Sequence, residues 1–370
     1  MSASTPRLLA LPATAAQLLP ALAAALDGGP AVLPLPDRPA TALAALRPDE
    51  PLEPNTALVV PTSGSTGDPK GVLLSAAALR ASAAATSARL GGPGQWLLAI
   101  PPTHIGGLQV LIRSLLAGTD PVVLADGPFS AARFDSATGQ LTGERRYVSL
   151  VPTQLRRLVE AGSDLRAYDA VLLGGAAAPA ALLERARAAG ANVVTTYGMS
   201  ETAGGCVYDG DPLDGVTLTL AAGLVVLGGP MLAHGYRLRP ELTAQAFTEA
   251  GFVTSDLGRL DDGFLTVLGR ADDVIITGGE KVAPQAVEAA LELHPAVVEA
   301  GVVGIDDDEW GQRVVAQVVL RAPLTLEQAR AHLGVWLPRA WAPRELHEVA
   351  ELPLLASGKI DRTALRLWAR

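Results

Sequence analysis

An α/β fold is predicted by three features of the chain. Short apolar runs alternate with alanine-rich helical stretches through most of the first 200 residues, the pattern of a parallel sheet joined by crossover helices. From about Leu213 to Leu268 short strands and turns replace the helices, which predicts a smaller β-rich subdomain. After "GRADD" a further segment mixes helix and strand, placing a boundary at Arg270 to Asp273 between a large N-terminal domain, residues 1–269, and a small α+β C-terminal domain, residues 270–370.

In order, "TALVVP" reads as a strand that leads into the glycine-rich "PTSGSTGDPKGV", and "SAAALRASAAATSARL" as the helix beyond it. "WLLAIP" precedes a helix near "GLQVLIRSLL", "YVSLVP" leads into "TQLRRLVEAG", "AVLLGG" into "PAALLERARAAG", and "NVVTTYG" ends the series. Strands "VTLTL", "LVVLGG" and "FLTVLG" follow. The last segment has a helix near Pro284 to Leu293, strands "AGVVGI" and "VVAQVVL", and a helix starting near Thr325. Residues 1–50 predict helix and connection.

Composition narrows the function. A chain of 370 residues exceeds one ordinary core at roughly 100–200 residues per domain. No apolar run reaches the roughly 18 residues of a membrane span, and the N-terminus has neither a basic start nor a clear cleavage site. A mature, cytoplasmic protein without membrane insertion is the expectation. One cysteine, Cys206, excludes an intramolecular disulfide framework and a cysteine-rich metal site. A net charge of −9 argues against nucleic acid, so an anionic ligand must be held by local cations. Of 29 basic residues only Lys70, Lys281 and Lys359 are lysines, and each lies in a glycine-bearing stretch. A compact ammonium differs from the planar fork of arginine, so a shared anionic substrate competes with plain compositional bias as the reason.

The loop at 61–72 joins a strand to a helix in this reading, where backbone N–H groups, hydroxyls and Lys70 would converge on phosphate oxygens. It does not match a Walker loop: counting from Gly64, Pro69 falls where the second glycine belongs, and Gly71 follows Lys70. No G-x-G-x-x-G fingerprint follows the first strand. Alone, such a cluster is equally a solvated turn.

Five motifs occur in order: "TSGSTGDPKG" (62–71), "YGMSET" (197–202), "TSDLGRL" (254–260), "GRADDVIITGGEKV" (269–282) and "LPLLASGKIDR" (352–362). Together, over about Pro61 to Arg362, they resemble the adenylate-forming superfamily of acyl- and aryl-CoA ligases, adenylation domains and luciferases. "YGMSETAGGCVYDG" and "PPTHIGGL" are further similar to the 2-succinylbenzoate-CoA ligases of menaquinone biosynthesis. The resemblance implies ATP, Mg²⁺ and coenzyme A as partners of a small carboxylate, and a small domain that moves as a cap. It implies that Thr62, Ser63, Gly64, Ser65, Thr66, Gly67 and Lys70 hold the β- and γ-phosphates, that Glu201 binds Mg²⁺, and that Ser200, where the family has threonine, meets the α-phosphate. Tyr197, Gly198, Gly174, Gly175 and Ala176 would form the adenine slot. Asp256 would accept the ribose hydroxyls, although "TSD" replaces the usual T-G-D and puts the turn in question. Arg270 would reach the ribose or α-phosphate, Asp272 would be the hinge, and Lys359 the mobile lysine of the cap. His104, Gly204 and Gly205 would line the acyl pocket, with Cys206 as a wall, and Lys281 would meet a CoA phosphate.

Each single residue also has a plainer reading: His104 as a hydrogen-bonded structural histidine, Asp272 and Asp273 as turn acids, Lys281 as a solvated lysine, "GGAAAP" as a strand end. The leading expectation is an AMP-forming ligase for an aromatic acid, most simply 2-succinylbenzoate. A carrier-loading adenylation enzyme is the nearest rival, disfavoured because no carrier module follows Lys359, and a non-catalytic nucleotide-binding module is a third. Pure binding would not need a lysine on a moving cap. A homodimer is left open.

Overall fold

The apolar runs become strands because they have covered faces to occupy. A computed structural model describes residues 8–63, 69–125, 127–354 and 360–369. In a first sheet Leu8–Pro12, Ala31–Leu35 and Leu58–Ser63 run parallel. Helices Ala15–Leu26 and Ala40–Leu46 connect them, so the first 50 residues supply two strands beyond the helix and connection expected. The strand Pro69–Leu74 then turns back antiparallel to Leu58–Ser63, with Thr62 opposite Lys70. The glycine-rich segment therefore links two strands of a hairpin, which corrects the expected strand-to-helix passage. Val72, Leu73 and Leu74 are all buried, which suits a strand covered on both faces. The helix Ala76–Arg89 begins only after Ser75, whose hydroxyl accepts from the Ala78 amide at 3.0 Å.

A second sheet has seven strands. Val122–Val123, Gln95–Leu98, Arg146–Leu150, Ala170–Leu173 and Val193–Met199 are parallel neighbours, and Gly204–Tyr208 and Asp211–Pro212 add an antiparallel edge. Helices cover both faces. Leu18, Leu79, Leu108 and Ile112 belong to one core, shared with the first sheet, while Phe134, Leu155, Leu158 and Leu182 belong to the other. Parallel strands buried in this way place their carboxyl ends along one edge, where ligands of open α/β sheets bind.

The third sheet is antiparallel: Thr217–Ala221, Leu224–Gly228, Gly251–Asp261, Phe247–Thr248 and Phe264–Arg270. Between its strands the chain returns to the first sheet, where Gly235–Tyr236 pairs with Val72 and Leu73. Arg237, 1 % exposed, locks that return. Its guanidinium donates to the carbonyls of Leu46, Arg47, Glu50 and Pro51 and to the Glu53 carboxylate. A buried charge is tolerable only when surrounded by acceptors in this manner.

A fourth sheet contains Ile275–Thr277, Glu280–Val282, Val297–Asp307, Gly311–Leu320 and Glu345–Glu348. Helices Pro284–Glu292, Leu326–Leu333 and Arg362–Trp368 accompany it. No helix among the described residues is long and apolar enough to cross a membrane. Arg156 of the helix Pro152–Ala161 forms an ion pair with Glu299. Beside that pair Glu292 accepts from the Ala300 amide at 3.2 Å, and burial pushes its carboxyl up to about 7, with the neighbouring Glu288 charge adding to the rise.

A raised acid pKa makes the folded chain bind more protons than the unfolded chain between the ordinary carboxylate value and about pH 7, so stability falls as pH rises through that window. Glu292→Gln is expected to flatten this slope and to exceed the parent at pH 8 by on the order of 3 kcal/mol. Urea unfolding at pH 5 and pH 8 measures it; parallel curves for the two proteins would contradict the assignment.

Candidate active site

The tightest backbone in the second sheet lies where it reverses direction after Val193–Met199. A Cβ on Gly198 would collide with the Gly204 carbonyl oxygen, so only glycine lets the two strands approach. Between them Ser200–Thr202 makes a single 3₁₀ turn and Ala203 takes a left-handed φ of 51°. The Thr202 hydroxyl ties the turn by accepting from the Met199 amide at 2.9 Å and donating to the Gly204 carbonyl at 2.7 Å. From outside, Ser82 Oγ and Gln109 Nε2 both donate to the Ala203 carbonyl, at 2.9 and 2.7 Å.

This turn presents Glu201. Its backbone carbonyl accepts from the Ala233 amide at 2.8 Å, and its Oε1 accepts from the Tyr236 hydroxyl at 2.8 Å. Lys70 Nζ lies 5.6 Å from the centre of the Tyr236 ring, so Lys70 and Glu201, 131 positions apart in the chain, flank one phenol. Thr62 Oγ1 is 3.4 Å from the Lys70 carbonyl, and Ser63 ends its strand opposite Pro69. Ser200 is buried. Gly64, Ser65, Thr66, Gly67 and Lys359 lie outside the described residues.

On the other side of the turn the Tyr197 hydroxyl donates to Asp256 Oδ2 at 2.8 Å. Burial and the Asp256 charge push the Tyr197 phenol well above its ordinary value, so it remains a donor. Asp256 pairs across the third sheet with Arg270, whose guanidinium is 3.5 Å from the exposed Asp272. Gly174 packs against Thr196, where a Cβ would meet Thr196 Oγ1. Gly175 and Ala176 follow as exposed residues at the carboxyl end of Ala170–Leu173. His104 caps Ile105–Ala117, its carbonyl accepting from the Leu108 amide at 3.0 Å. The Cys206 thiol is buried and pushed up to about 12 by desolvation, which makes it a wall and no nucleophile. Lys281 is exposed on Glu280–Val282, opposite Ile276. In the same sheet Gly278 packs on the Trp310 ring, over which the Arg344 guanidinium lies at 3.7 Å.

The family model of the AMP-binding enzyme matches residues 6–236, and that of the AMP-binding enzyme C-terminal domain matches residues 286–359. This chain belongs to the AMP-binding enzyme family. It is 52% identical over 374 aligned positions, 97% of each chain, to a probable 2-succinylbenzoate-CoA ligase of Mycobacterium tuberculosis. Among solved structures it resembles the o-succinylbenzoate CoA synthetase of Bacillus subtilis in complex with the acyl-adenylate intermediate OSB-AMP. That match has a TM-score of 0.76 and 29% identity, covering 97% of this chain and 83% of that one. The same synthetase with ATP and magnesium ion matches with a TM-score of 0.73 and 32% identity, over 86% and 72% of the two chains.

In this AMP-binding enzyme the structure adds residues that sequence reasoning passed over. Arg113 is 7 % exposed, and burial lowers its pKa from the ordinary arginine value. It donates to Thr86 Oγ1 at 3.1 Å and lies 5.0 Å from the Trp96 ring centre. Among the described residues it has no carboxylate partner, its Nε has no hydrogen-bond partner, and neither has Gln109 Oε1 one turn earlier. Gln109 packs under Gly204, whose added Cβ would stand 3.3 Å from Gln109 Cγ. One signal was available: Arg113 is the only charge in "GLQVLIRSLL", an apolar run that has to be buried. Arg362 was hidden among the arginines. It chelates Glu288 at 2.7 and 3.0 Å and reaches Asp273 at 3.2 Å, beside the proposed hinge.

Gly198→Ala is expected to destabilise the enzyme by about 3 kcal/mol or more, because backbone must move to admit the methyl group. Gly91→Ala, at φ +83° with nothing within 4 Å, has only the left-handed backbone to bear, about 1 kcal/mol. Comparing the two urea midpoints checks this; equal losses would mean that the turn has room.

Proposed function

We propose that this AMP-binding enzyme activates 2-succinylbenzoate with ATP and transfers the acyl group to coenzyme A. In the first step a carboxylate oxygen of the acid attacks the α-phosphorus, forming an O–P bond while the bond to the β-phosphate oxygen breaks and pyrophosphate leaves. In the second the CoA sulfur attacks the acyl carbon, the bond to AMP breaks, and the thiol proton passes to solvent. Neither step needs a protein nucleophile, in keeping with the inert Cys206. Positioning and fixed charge supply the catalysis.

The observation that carries the choice of acid is Arg113. 2-Succinylbenzoate has two carboxylates. One reacts, and the other enters the pocket as an anion that needs a cation. A buried guanidinium that has no carboxylate partner among the described residues, one turn beyond the Gln109 that packs under Gly204, supports that reading. Benzoate would leave it unanswered.

Around this pocket the remaining assignments follow the motifs. Thr62, Ser63, Gly64, Ser65, Thr66, Gly67 and Lys70 hold the terminal phosphates, and Ser200 the α-phosphate. Tyr197, Gly198, Gly174, Gly175 and Ala176 take the adenine. Asp256 spends one oxygen on Tyr197 and keeps the other for the ribose, with Arg270 beside it. No group of three or more His, Cys, Asp or Glu among the described residues could hold a metal. Glu201 thus suits a Mg²⁺ ion that draws its other ligands from phosphate and water. When bound, that ion neutralises charge building on the phosphate oxygens. We place the domain boundary at residues 270 to 273 with Asp272 as hinge, Lys359 serving adenylation and Lys281 a CoA phosphate.

The expected result is a kcat/KM for 2-succinylbenzoate at least about tenfold above benzoate, which needs only about 1.4 kcal/mol. Arg113→Gln should lower the first value by about 100-fold, the loss of a charged hydrogen-bonded pair, and leave the benzoate value within about threefold. Pyrophosphate release measures both. Comparable turnover of the two acids by the parent, or equal losses in the variant, would sink the choice of acid.

A further inference from the structure

We propose that Tyr236 is a positioning residue that keeps Glu201 and Lys70 apart and aimed for metal-bound ATP. This rests on the assignment of Glu201 to Mg²⁺ made above. Two opposite charges that share a pocket ordinarily pair with each other. Here neither Lys70 nor Glu201 has an ion-pair partner among the described residues, and each is in contact with the Tyr236 side chain instead. Its hydroxyl is 2.8 Å from Glu201 Oε1, and its ring centre 5.6 Å from Lys70 Nζ.

The two contacts differ in kind, and both matter. The hydroxyl pins one carboxylate oxygen and leaves Oε2 for a cation. As a neutral donor it fixes direction without cancelling the negative charge; an arginine at this place would remove the attraction for a metal. A phenol carries one O–H, and here the Glu201 carboxylate is the acceptor that takes it. The ring face attracts the ammonium weakly, enough to direct it without holding it against a polyphosphate.

Tyr236 can do this because its backbone is immobilised on every side. It pairs with Val72 in the strand that carries Lys70, and its amide donates to Thr243 Oγ1 at 2.9 Å. The Arg237 amide donates to the Gly71 carbonyl at 2.8 Å, and the Arg237 side chain is anchored in the 46–53 segment. The ring packs at 5.6 Å against Phe247. A residue whose only task was core filling would need none of its hydroxyl, and the Glu201 contact is where that hydroxyl goes.

Calorimetric titration of ATP with and without Mg²⁺, and of AMP, separates this role from a structural one. In Tyr236→Phe the factor by which Mg²⁺ tightens ATP should fall by about tenfold, the effect of losing one hydrogen bond to a charged group. AMP affinity should stay within about twofold. In Tyr236→Leu, which also removes the ring, metal-free ATP should weaken several-fold as Lys70 and Glu201 close on each other. Glu201→Gln is the reference and should lose the metal effect. If Glu201→Gln loses it and Tyr236→Phe keeps it, the positioning role is wrong while the metal assignment survives. If Glu201→Gln keeps it, the metal assignment fails and the role falls with it. A parallel loss of AMP affinity in Tyr236→Phe would mean that the tyrosine is structural, and would overturn the proposal.

Discussion

There is no room for a side chain at Gly198, and the site follows from that constraint. The second sheet runs parallel through five strands and then must reverse without a crossover. The reversal brings Gly198 against the Gly204 carbonyl. Chain forced into so short a path cannot satisfy itself, so Thr202 ties it internally and Ser82 and Gln109 tie it from neighbouring helices. Glu201 is thereby delivered to the carboxyl edge of the sheet on a stiff support, while Tyr197 points from the adjoining strand toward Asp256. The residues proposed for the acyl pocket, the nucleotide and the metal are thereby gathered around one turn.

Charge is the second theme. A chain of net charge −9 that handles ATP and CoA has to isolate its few useful cations from its many acids. Three solutions occur. Arg237 and Arg362 are consumed by structural acceptors. Arg113 is buried with no carboxylate partner among the described residues and with its Nε unpartnered. Lys70 lies over a tyrosine ring whose hydroxyl donates to Glu201.

How far the sequence foretold this depends on the range over which each signal acts. Runs such as "YVSLVP" and "AVLLGG" state their own strands, since burial on both faces requires continuous apolar residues. Ordered motifs placed Glu201, Tyr197 and Asp256 together. The hairpin at 58–74 was misjudged because glycine-rich loops that end in strands or in helices look alike until Val72 to Leu74 are seen buried. Arg237 and Arg362 were invisible among 26 arginines, for what distinguishes them is acceptors brought from as much as 191 positions away. Tyr236 carried no sign at all: its two polar contacts come from 35 and 166 positions away.

The central claim is that acid and ATP react before the thiol is needed. Isotope exchange of radiolabelled pyrophosphate into ATP, with 2-succinylbenzoate present and coenzyme A absent, tests it most directly, because label can return to ATP only through a reversible acyl-adenylate. Label should enter ATP in proportion to added acid and not at all without it. Exchange that requires coenzyme A, or no exchange while acyl-CoA is still produced, would contradict the two-step reading.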